Sequence, residues 1–292
     1  MNKKKALVIF GPTASGKSSK AIQIAKKYNS TIINADSIQV YKELRLITSR
    51  PSIEDEKNFD HKLYGFLQGN QNCTVSMWLE SIKKEIKACF ENNKLPIIVG
   101  GTGMYLKSLI DGISIIPNIP ISVKEETKKK VQEKGLKYIY EILLNENAGL
   151  KINPNDTQRI QRAYNVFVST GKMIEEWNEK NKKIIEDLEF DIFIQDFDRS
   201  EIYKNSESRF DKMLERGGID EVKKILEMNY DPNLSIMKAI GVREISKYLN
   251  KEISLLDASN LAKQKTRNYV KRQITWIKGN NITKNCNIKK YL

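Results

Sequence analysis

The sequence predicts an α/β fold: a P-loop NTPase-like parallel sheet flanked by helices, with an inserted all-helical domain. Three observations carry the prediction. Short apolar runs at Ala6 to Phe10, Thr31 to Ala35 and Leu95 to Val99 each end in a polar or glycine-rich turn and lead, at once or after a polar stretch, into a helical pattern. That alternation builds parallel sheets. Gly11-Pro12-Thr13-Ala14-Ser15-Gly16-Lys17-Ser18 fits G-x-x-x-x-G-K-[ST] between the first of these strands and a helix, the context a P-loop requires. From about residue 124 to 183 the chain is charged and helical in pattern, and strand character returns only at Phe190 to Ile194.

Taken in order, the first strand feeds the P-loop, and a helix follows from Ser19 to Lys27. The second strand ends at Asp36-Ser37-Ile38-Gln39-Val40-Tyr41, the carboxyl end where parallel sheets place their chemistry. A helix from Val75 toward Phe90 leads to the third strand, which ends in Gly100-Gly101-Thr102-Gly103 and enters a helix over Met104 to Ile110. Pro117 and Pro120 then break the pattern. Asn153-Pro154-Asn155-Asp156 reads as a helix start, and Arg159 and Arg162 on that helix share a face. Such a pair serves either as a solvated face or as a phosphate contact. After the returning strand come a helix over Asp198 to Glu215 bearing Arg209, a break at Gly217-Gly218, and a helix from Ile219 to Met228. A long helix from about Leu256 to Lys278 puts Lys263, Arg267 and Lys271 in one row, with Val270, Ile274 and Ile277 as an apolar row. The expected division is a core of residues 1–112, a helical insertion of 113–187 and a completed core of 188–292.

The net charge of +14, from 50 Lys and Arg against 36 Asp and Glu, points to a polyanionic partner. Its distribution sharpens the point: after Asp257 no acidic residue occurs, while Lys263, Lys265, Arg267, Lys271, Arg272, Lys278, Lys284, Lys289 and Lys290 are basic. Cys73, Cys89 and Cys286 have no Cys-x-x-Cys spacing, which argues against a disulfide framework or structural zinc and fits a reducing cytoplasmic setting. With His61 the sole histidine, proton transfer falls to carboxylates. Met1-Asn2-Lys3-Lys4-Lys5 is followed by an apolar run short of the roughly 7 to 15 residues of a signal peptide, and no stretch approaches the ~20 of a membrane span.

The P-loop predicts a polyphosphate without saying which. Its backbone N–H groups and helix N-terminus receive phosphate, Lys17 adds a charge, and the Ser18 hydroxyl suits Mg²⁺. Asp36 is either a second acid near the metal or a base. A phosphoryl-transferring kinase of small molecules or nucleosides is one reading, although the acid-free basic tail gives it little to do. A non-catalytic RNA-binding protein that keeps a relic P-loop is another, although such a relic is expected to lose Lys17 or Asp36 first.

Beyond the P-loop, the chain carries Asp36-Ser37-x-Gln39-x-Tyr41, Val99-Gly100-Gly101-Thr102-Gly103-Met104-Tyr105, Asn155-Asp156-x-Gln158-Arg159-x-x-Arg162-Ala163, Gly241-x-Arg243 and Thr266-Arg267-x-Tyr269-x-Lys271-Arg272-Gln273-x-Thr275-Trp276. In this order the blocks resemble the tRNA dimethylallyltransferases, also called tRNA isopentenyltransferases, over nearly the whole chain. The resemblance implies transfer of a dimethylallyl group from dimethylallyl diphosphate to the exocyclic amine of the adenosine just 3′ of the anticodon. It implies a P-loop that grips the leaving diphosphate with Mg²⁺, and a monomer acting on the tRNA anticodon arm. By the same resemblance Asp36 is the general base, and Arg209 and Thr102 act at the reacting centre. Asp36, Ser37, Ile38, Gln39, Thr102, Lys124, Gln158, Arg159, Ile160, Gln161, Arg162, Gly241, Arg243, Arg272 and Gln273 match positions that meet tRNA. Trp276 reads as an interior anchor in preference to a base-stacking platform. The chain departs from the pattern at Thr48-Ser49-Arg50-Pro51, where glycine commonly follows the threonine and lysine precedes the proline. It departs also at Asn165, where glutamate is frequent, at Lys124, often arginine, and at His61-Lys62-Leu63-Tyr64-Gly65-Phe66, which lacks an acidic residue many members have.

Overall fold

The computed structural model describes residues 4–178, 181–280, 282 and 285–292; Met1, Asn2, Lys3 and Lys284 lie outside the described residues. The chain divides into two compact units, Met1–Ile110 with Ile185–Leu292, and Asp111–Ile184. The first begins with β1 (Lys4–Phe10), α1 (Lys17–Ala25), β2 (Ser30–Asn34), α2 (Ile53–Asn58), β3 (His61–Lys62), α3 (Val75–Glu91), β4 (Leu95–Gly100) and α4 (Gly103–Asp111). The second unit holds β5 (Ile113–Ser114), α5 (Ile121–Lys134), α6 (Leu136–Glu146), α7 (Thr157–Thr170), α8 (Ile174–Asn178) and β6 (Asn181–Lys182). The first then resumes with β7 (Leu188–Ile194), α9 (Arg199–Met213), α10 (Ile219–Glu227), α11 (Val242–Leu249) and α12 (Leu255–Gly279).

The core sheet runs β3-β2-β4-β1-β7 and is parallel throughout, with Leu7 opposite Ile97 and Val8 opposite Ile192. Because a parallel sheet is covered on both faces, its central strands are apolar without alternation. Ala6, Leu7, Val8 and Ile9 are all fully buried. The free edge of β7 is closed by the chain's end: Ile192 N–H donates to Asn285 Oδ1 (2.6 Å) and Asn285 Nδ2 donates to Phe190 O (2.9 Å), while Cys286 and Ile288 enter the core beside Leu7 and Ile9. A side chain thereby satisfies backbone groups that an open edge would leave for another strand.

All four neighbouring strand ends point their carboxyl termini the same way. The P-loop after β1, Asp36 after β2, Gly101 to Gly103 after β4 and Gln195-Asp196 after β7 therefore share one rim. This is where an open α/β sheet binds its ligand.

In the second unit α5, α6 and α7 pack around Ile139, Leu143, Ile160, Ala163 and Tyr164. Helix α7 starts where the sequence places a cap: Asp156 accepts from Arg159 N–H (3.1 Å), and Gly171 ends it in the left-handed region. The unit is not all-helical. Ile113 pairs with Lys182 and Ser114 with Asn181 in an antiparallel ladder. Two residues per strand are too few to leave an alternation in sequence.

Candidate active site

The P-loop geometry follows from its residues. Gly16, at φ 82°, turns the chain into α1, a conformation in which glycine avoids the Cβ clash. Ala14 lies in the same region at φ 59° without that freedom, strain of about 1–3 kcal/mol of the sort that clusters at functional sites. Ser15 Oγ and Lys17 Nζ both donate to Pro12 O, at 2.8 and 2.5 Å. Residues Thr13 to Ser19 line a 540 Å³ cavity with Asp36, Gln39, Tyr64, Gln195, Asp196, Asp198, Glu201 and Arg209. Burial lowers the Lys17 pKa to about 7; Asp36 opposes the fall, and the Arg209 charge adds to it. A bound polyphosphate would restore the ammonium.

Asp36 is fixed from three sides. Asn34, buried beneath it, accepts from Asp36 N–H (2.8 Å) and donates to Asp36 O (3.0 Å). The carboxylate's Oδ1 accepts from Ile38 N–H (2.9 Å) and Gln39 N–H (3.3 Å), an Asx-type turn. Thr102 Oγ1 accepts from Ser37 N–H (3.0 Å), joining the end of β4 to the end of β2. Arg209, reaching in from α9, donates from Nη2 to Thr13 Oγ1 (2.6 Å), while its Nε is buried without a partner. Burial lowers the Arg209 pKa and Asp36 counters it. A guanidinium that lines both cavities with its Nε shielded and unpaired has a donor to offer an anion.

Helix α12 forms the back wall. Gln273, 6% exposed, accepts at Oε1 from Thr13 N–H (2.9 Å) and donates from Nε2 to Gly101 O (3.0 Å). Without it the buried Gly101 C=O would go unmet, at about 1–3 kcal/mol, and the part-buried Thr13 N–H would lose its partner. Trp276 sets its ring edge-on to Phe10, 5.7 Å between centroids, and occupies the space a side chain at Gly103 would need. It is an anchor, as the sequence suggests.

A second cavity of 300 Å³ shares Thr13, Asp36 and Arg209 with the first and continues to Ser37, Ile38, Ile47, Phe210, Met213, Ile240, Tyr269 and Arg272. The wall where the two meet carries the Asp36 carboxylate and the Arg209 guanidinium. Phosphate chemistry fits one side and a flat or apolar group the other. Burial, with Asp36 nearby, holds the Tyr269 hydroxyl well above its usual range, so it stays protonated.

The other expected nucleic-acid contacts divide. Arg243 and Arg272 are exposed, and Lys124, Gln158, Arg159 and Arg162 are exposed on the second unit, where Gln161 is half-buried. Three expectations need correcting. Ile160 is fully buried among Ile139 and Leu143, because a residue one step round the helix from Arg159 turns to the core. Gly241 is buried too, its N–H taken by Glu244 Oε2 (2.8 Å) at φ 102°, so it starts α11 instead of presenting a surface. Gln273 is spent on the two glycine turns, as above. The basic row of α12 is likewise not one open face. Lys263 pairs with Asp211 (2.6 Å), Arg267 with Glu207, and Lys265 with buried Glu244 (2.5 Å). The acids that meet them lie on other helices, beyond the reach of a row-by-row reading.

The departures also acquire reasons. Ser49 adopts φ 53°, the left-handed conformation for which glycine is the common choice. Arg50 folds inward, donating to Tyr41 O (3.1 Å) and filling the space over Gly65. Gln39 Nε2 holds the same loop through Thr48 O (2.8 Å) and Ser49 O (3.0 Å). Asn165 Oδ1 is buried without a hydrogen-bond partner.

The sequence reading missed Asp196, Asp198 and Glu201 on the first cavity's rim, although their place just past β7 marks them by the carboxyl-end rule. It missed Glu221 as well, whose carboxylate accepts from the N–H groups of Arg45, Leu46 and Ile47 and so sets one wall of the second cavity. For a metal, the donors are hard oxygens: the exposed Ser18 hydroxyl at the start of α1 and the Asp196 carboxylate line one cavity. Among the described residues no cluster of three His, Cys, Asp or Glu is placed to hold an ion unaided. That set suits Mg²⁺, which binds through few protein ligands together with phosphate oxygens and water.

Comparisons with known proteins place the chain in a family. The family model described as IPP transferase matches residues 39–280, and that described as isopentenyl transferase matches residues 4–66. The tRNA dimethylallyltransferase of Pelagibacter ubique (strain HTCC1062) is 42% identical over 274 residues, 93% of this chain and 88% of the relative. The structure of a eukaryotic dimethylallyltransferase acting on tRNA superposes with a TM-score of 0.80 at 28% identity, over 94% of this chain and 70% of that one. The tRNA isopentenylpyrophosphate transferase of Bacillus halodurans gives a TM-score of 0.67 at 27% identity, over 96% and 88%. By its motifs, its fold and its similarity along nearly its whole length, the chain belongs to the tRNA dimethylallyltransferase family.

Proposed function

We propose that this protein transfers a dimethylallyl group from dimethylallyl diphosphate to tRNA, at the exocyclic amine of the adenosine 3′-adjacent to the anticodon, releasing diphosphate. The observation that carries this reading is the meeting of two cavities at Asp36, Thr13 and Arg209. The diphosphate lies in the P-loop against Lys17 and the N-terminus of α1, and Arg209 closes over it. These groups stabilise the negative charge that develops as the allylic C–O bond breaks and its electron pair passes to the diphosphate. The adenine, turned out of the anticodon loop, enters from the second cavity. Its amine attacks the allylic carbon, and Asp36 accepts the departing proton. Thr102, tied to Ser37, keeps the turn that carries Asp36 in place. The Ser18 hydroxyl, with Asp196 on the same cavity, would hold a Mg²⁺ that when bound would supply further charge neutralisation.

The exposed Lys124, Gln158, Arg159 and Arg162 with half-buried Gln161, on the insertion of 113–187, and Arg243 and Arg272 on the core, hold the anticodon arm by its phosphates and unstacked bases. We take the working unit to be a monomer. Among the described residues no helix is long and apolar enough to cross a membrane. A reducing cytoplasmic setting is the one we adopt, in keeping with Cys73 and Cys89 standing as thiols. The test is incubation with Mg²⁺, unmodified tRNA and either dimethylallyl diphosphate or ATP, then mass analysis of the digested nucleosides. A dimethylallyl gain on adenosine with the allylic donor alone is expected. Phosphoryl transfer from ATP with no such gain would overturn the reading in favour of a kinase.

A further inference from the structure

We infer that Gln273 is a positioning residue for the diphosphate donor, not a contact for tRNA, and that through it α12 sets the gap between the P-loop and the Gly101–Gly103 turn. The inference rests on the transferase reading and deepens it. Gln273 is 6% exposed, and both ends of its amide are occupied on the inner side, by Thr13 N–H and by Gly101 O. The side chain lies so close over Gly101 that a Cβ there would collide with its Nε2.

Thr13 is held twice: its N–H by Gln273 from α12, and its hydroxyl by Arg209 from α9. Occupying that N–H decides which P-loop donors remain for the anion. It also sets the position from which Arg209 reaches the phosphate.

The spacing makes this a designed face of the helix. Thr266, Tyr269, Gln273 and Trp276 recur every three or four residues, so they share one stripe. Thr266 and Tyr269 line the second cavity, Gln273 bridges the two glycine turns, and Trp276 packs on Phe10 over Gly103. Arg272, one step round the helix, is exposed. Adjacent residues of one motif thus serve opposite sides: Arg272 outward to the acceptor, Gln273 inward to the donor.

The experiment separates the two substrates. Binding of inorganic diphosphate with Mg²⁺ is measured without tRNA, and binding of unmodified tRNA without donor, for the wild type, Gln273→Met, Gln273→Asn and Arg272→Ala. The methionine variant keeps the volume and removes both polar atoms; the asparagine variant keeps the amide but cannot span both partners. Gln273→Met and Gln273→Asn are expected to lose about tenfold or more in diphosphate affinity and to raise the donor KM, with tRNA affinity within about twofold of wild type. Arg272→Ala is expected to show the reverse pattern, a loss for tRNA alone. If Gln273→Met fails to fold by its melting temperature, Gln273→Asn carries the same readout. Weakened tRNA binding with unchanged diphosphate binding in a folded Gln273 variant would overturn the inference, and so would no change in either. Failure of the transferase reading shows itself separately, as wild-type protein that transfers no allyl group.

Discussion

The rim of the core sheet and the outer face of α7 carry residues from the same set of motifs, yet they are held in opposite ways. Around the P-loop the chain is tied at several points: Asp36 through its backbone by Asn34 and through its carboxylate by two backbone N–H groups, Thr13 through its N–H by Gln273 and through its hydroxyl by Arg209, and Thr102 through its hydroxyl by Ser37 N–H. On α7, Gln158, Arg159 and Arg162 stand exposed, and Arg159 pairs with Asp156 one turn back (3.3 Å). The difference suits the tasks proposed for them. Stabilising a transition state requires donors placed before the reaction, because reorganising them would consume the benefit. Gripping a phosphate backbone tolerates long, mobile cations, since the attraction is weakly directional and salt-screened.

The largest way to break this comparison is at the rim. Lys17→Ala is expected to lower the single-turnover transfer rate by about 10²–10³-fold, the effect of removing one pre-placed charge donor, with tRNA affinity unchanged in a filter-binding assay. A rate within tenfold of wild type would make the P-loop a passive cradle. On α7, the double substitution Arg159→Ala with Arg162→Ala is expected to weaken tRNA binding about tenfold and to reduce its salt slope by about two. Transfer at saturating tRNA should stay near wild type. A collapsed rate at saturation would instead put α7 at the chemistry.

A finer contrast lies within α12. Lys271→Ala with Arg272→Ala should flatten the salt dependence of tRNA binding. Lys263→Ala with Arg267→Ala should leave the slope unchanged, since Asp211 and Glu207 already neutralise those cations. Equal slopes in the two pairs would mean that α9 releases its partners to the nucleic acid.

The smallest expected effect is on stability. Lys17 has a pKa of about 7 in the folded protein against an ordinary 10.5. Between these values the unfolded chain binds the extra proton, so the cost of burying the charge is full below about 7 and fades as pH rises toward 10.5. Lys17→Met should therefore raise the melting temperature by a few degrees at about pH 6, and the gain should shrink steadily in alkaline buffer. A gain independent of pH would mean that Lys17 does not titrate there.

How much of this the sequence could reveal follows the same division. Local signals were legible: the P-loop between β1 and α1, the cap at Asp156, the returning strand at β7, and the placing of Asp36 and Thr102 at strand ends. These depend on residues close together in the chain. What escaped depends on partners far apart. Gln273 meets residues 260 and 172 positions away, Glu221 meets the loop at Arg45 to Ile47, and Lys263 and Arg267 of the α12 row are answered by acids on α9, as Lys265 beside the row is by one on α11. Periodicity could show that α12 has a basic row; only packing shows which of its cations are already paired. The strand pair Ile113–Ser114 with Asn181–Lys182 escaped for the same reason, since its only signal is contact across the whole insertion.

The central claim, that Asp36 performs the proton transfer while the exposed basic residues only hold the acceptor, is tested most directly by single-turnover transfer with both substrates saturating. Asp36→Asn keeps the oxygen that Ile38 and Gln39 bind and removes the base; it is predicted to slow transfer by about 10²–10⁴-fold, while Arg162→Ala stays within about twofold of wild type. An Asp36→Asn rate near wild type, or an Arg162→Ala rate equally depressed, would contradict the account.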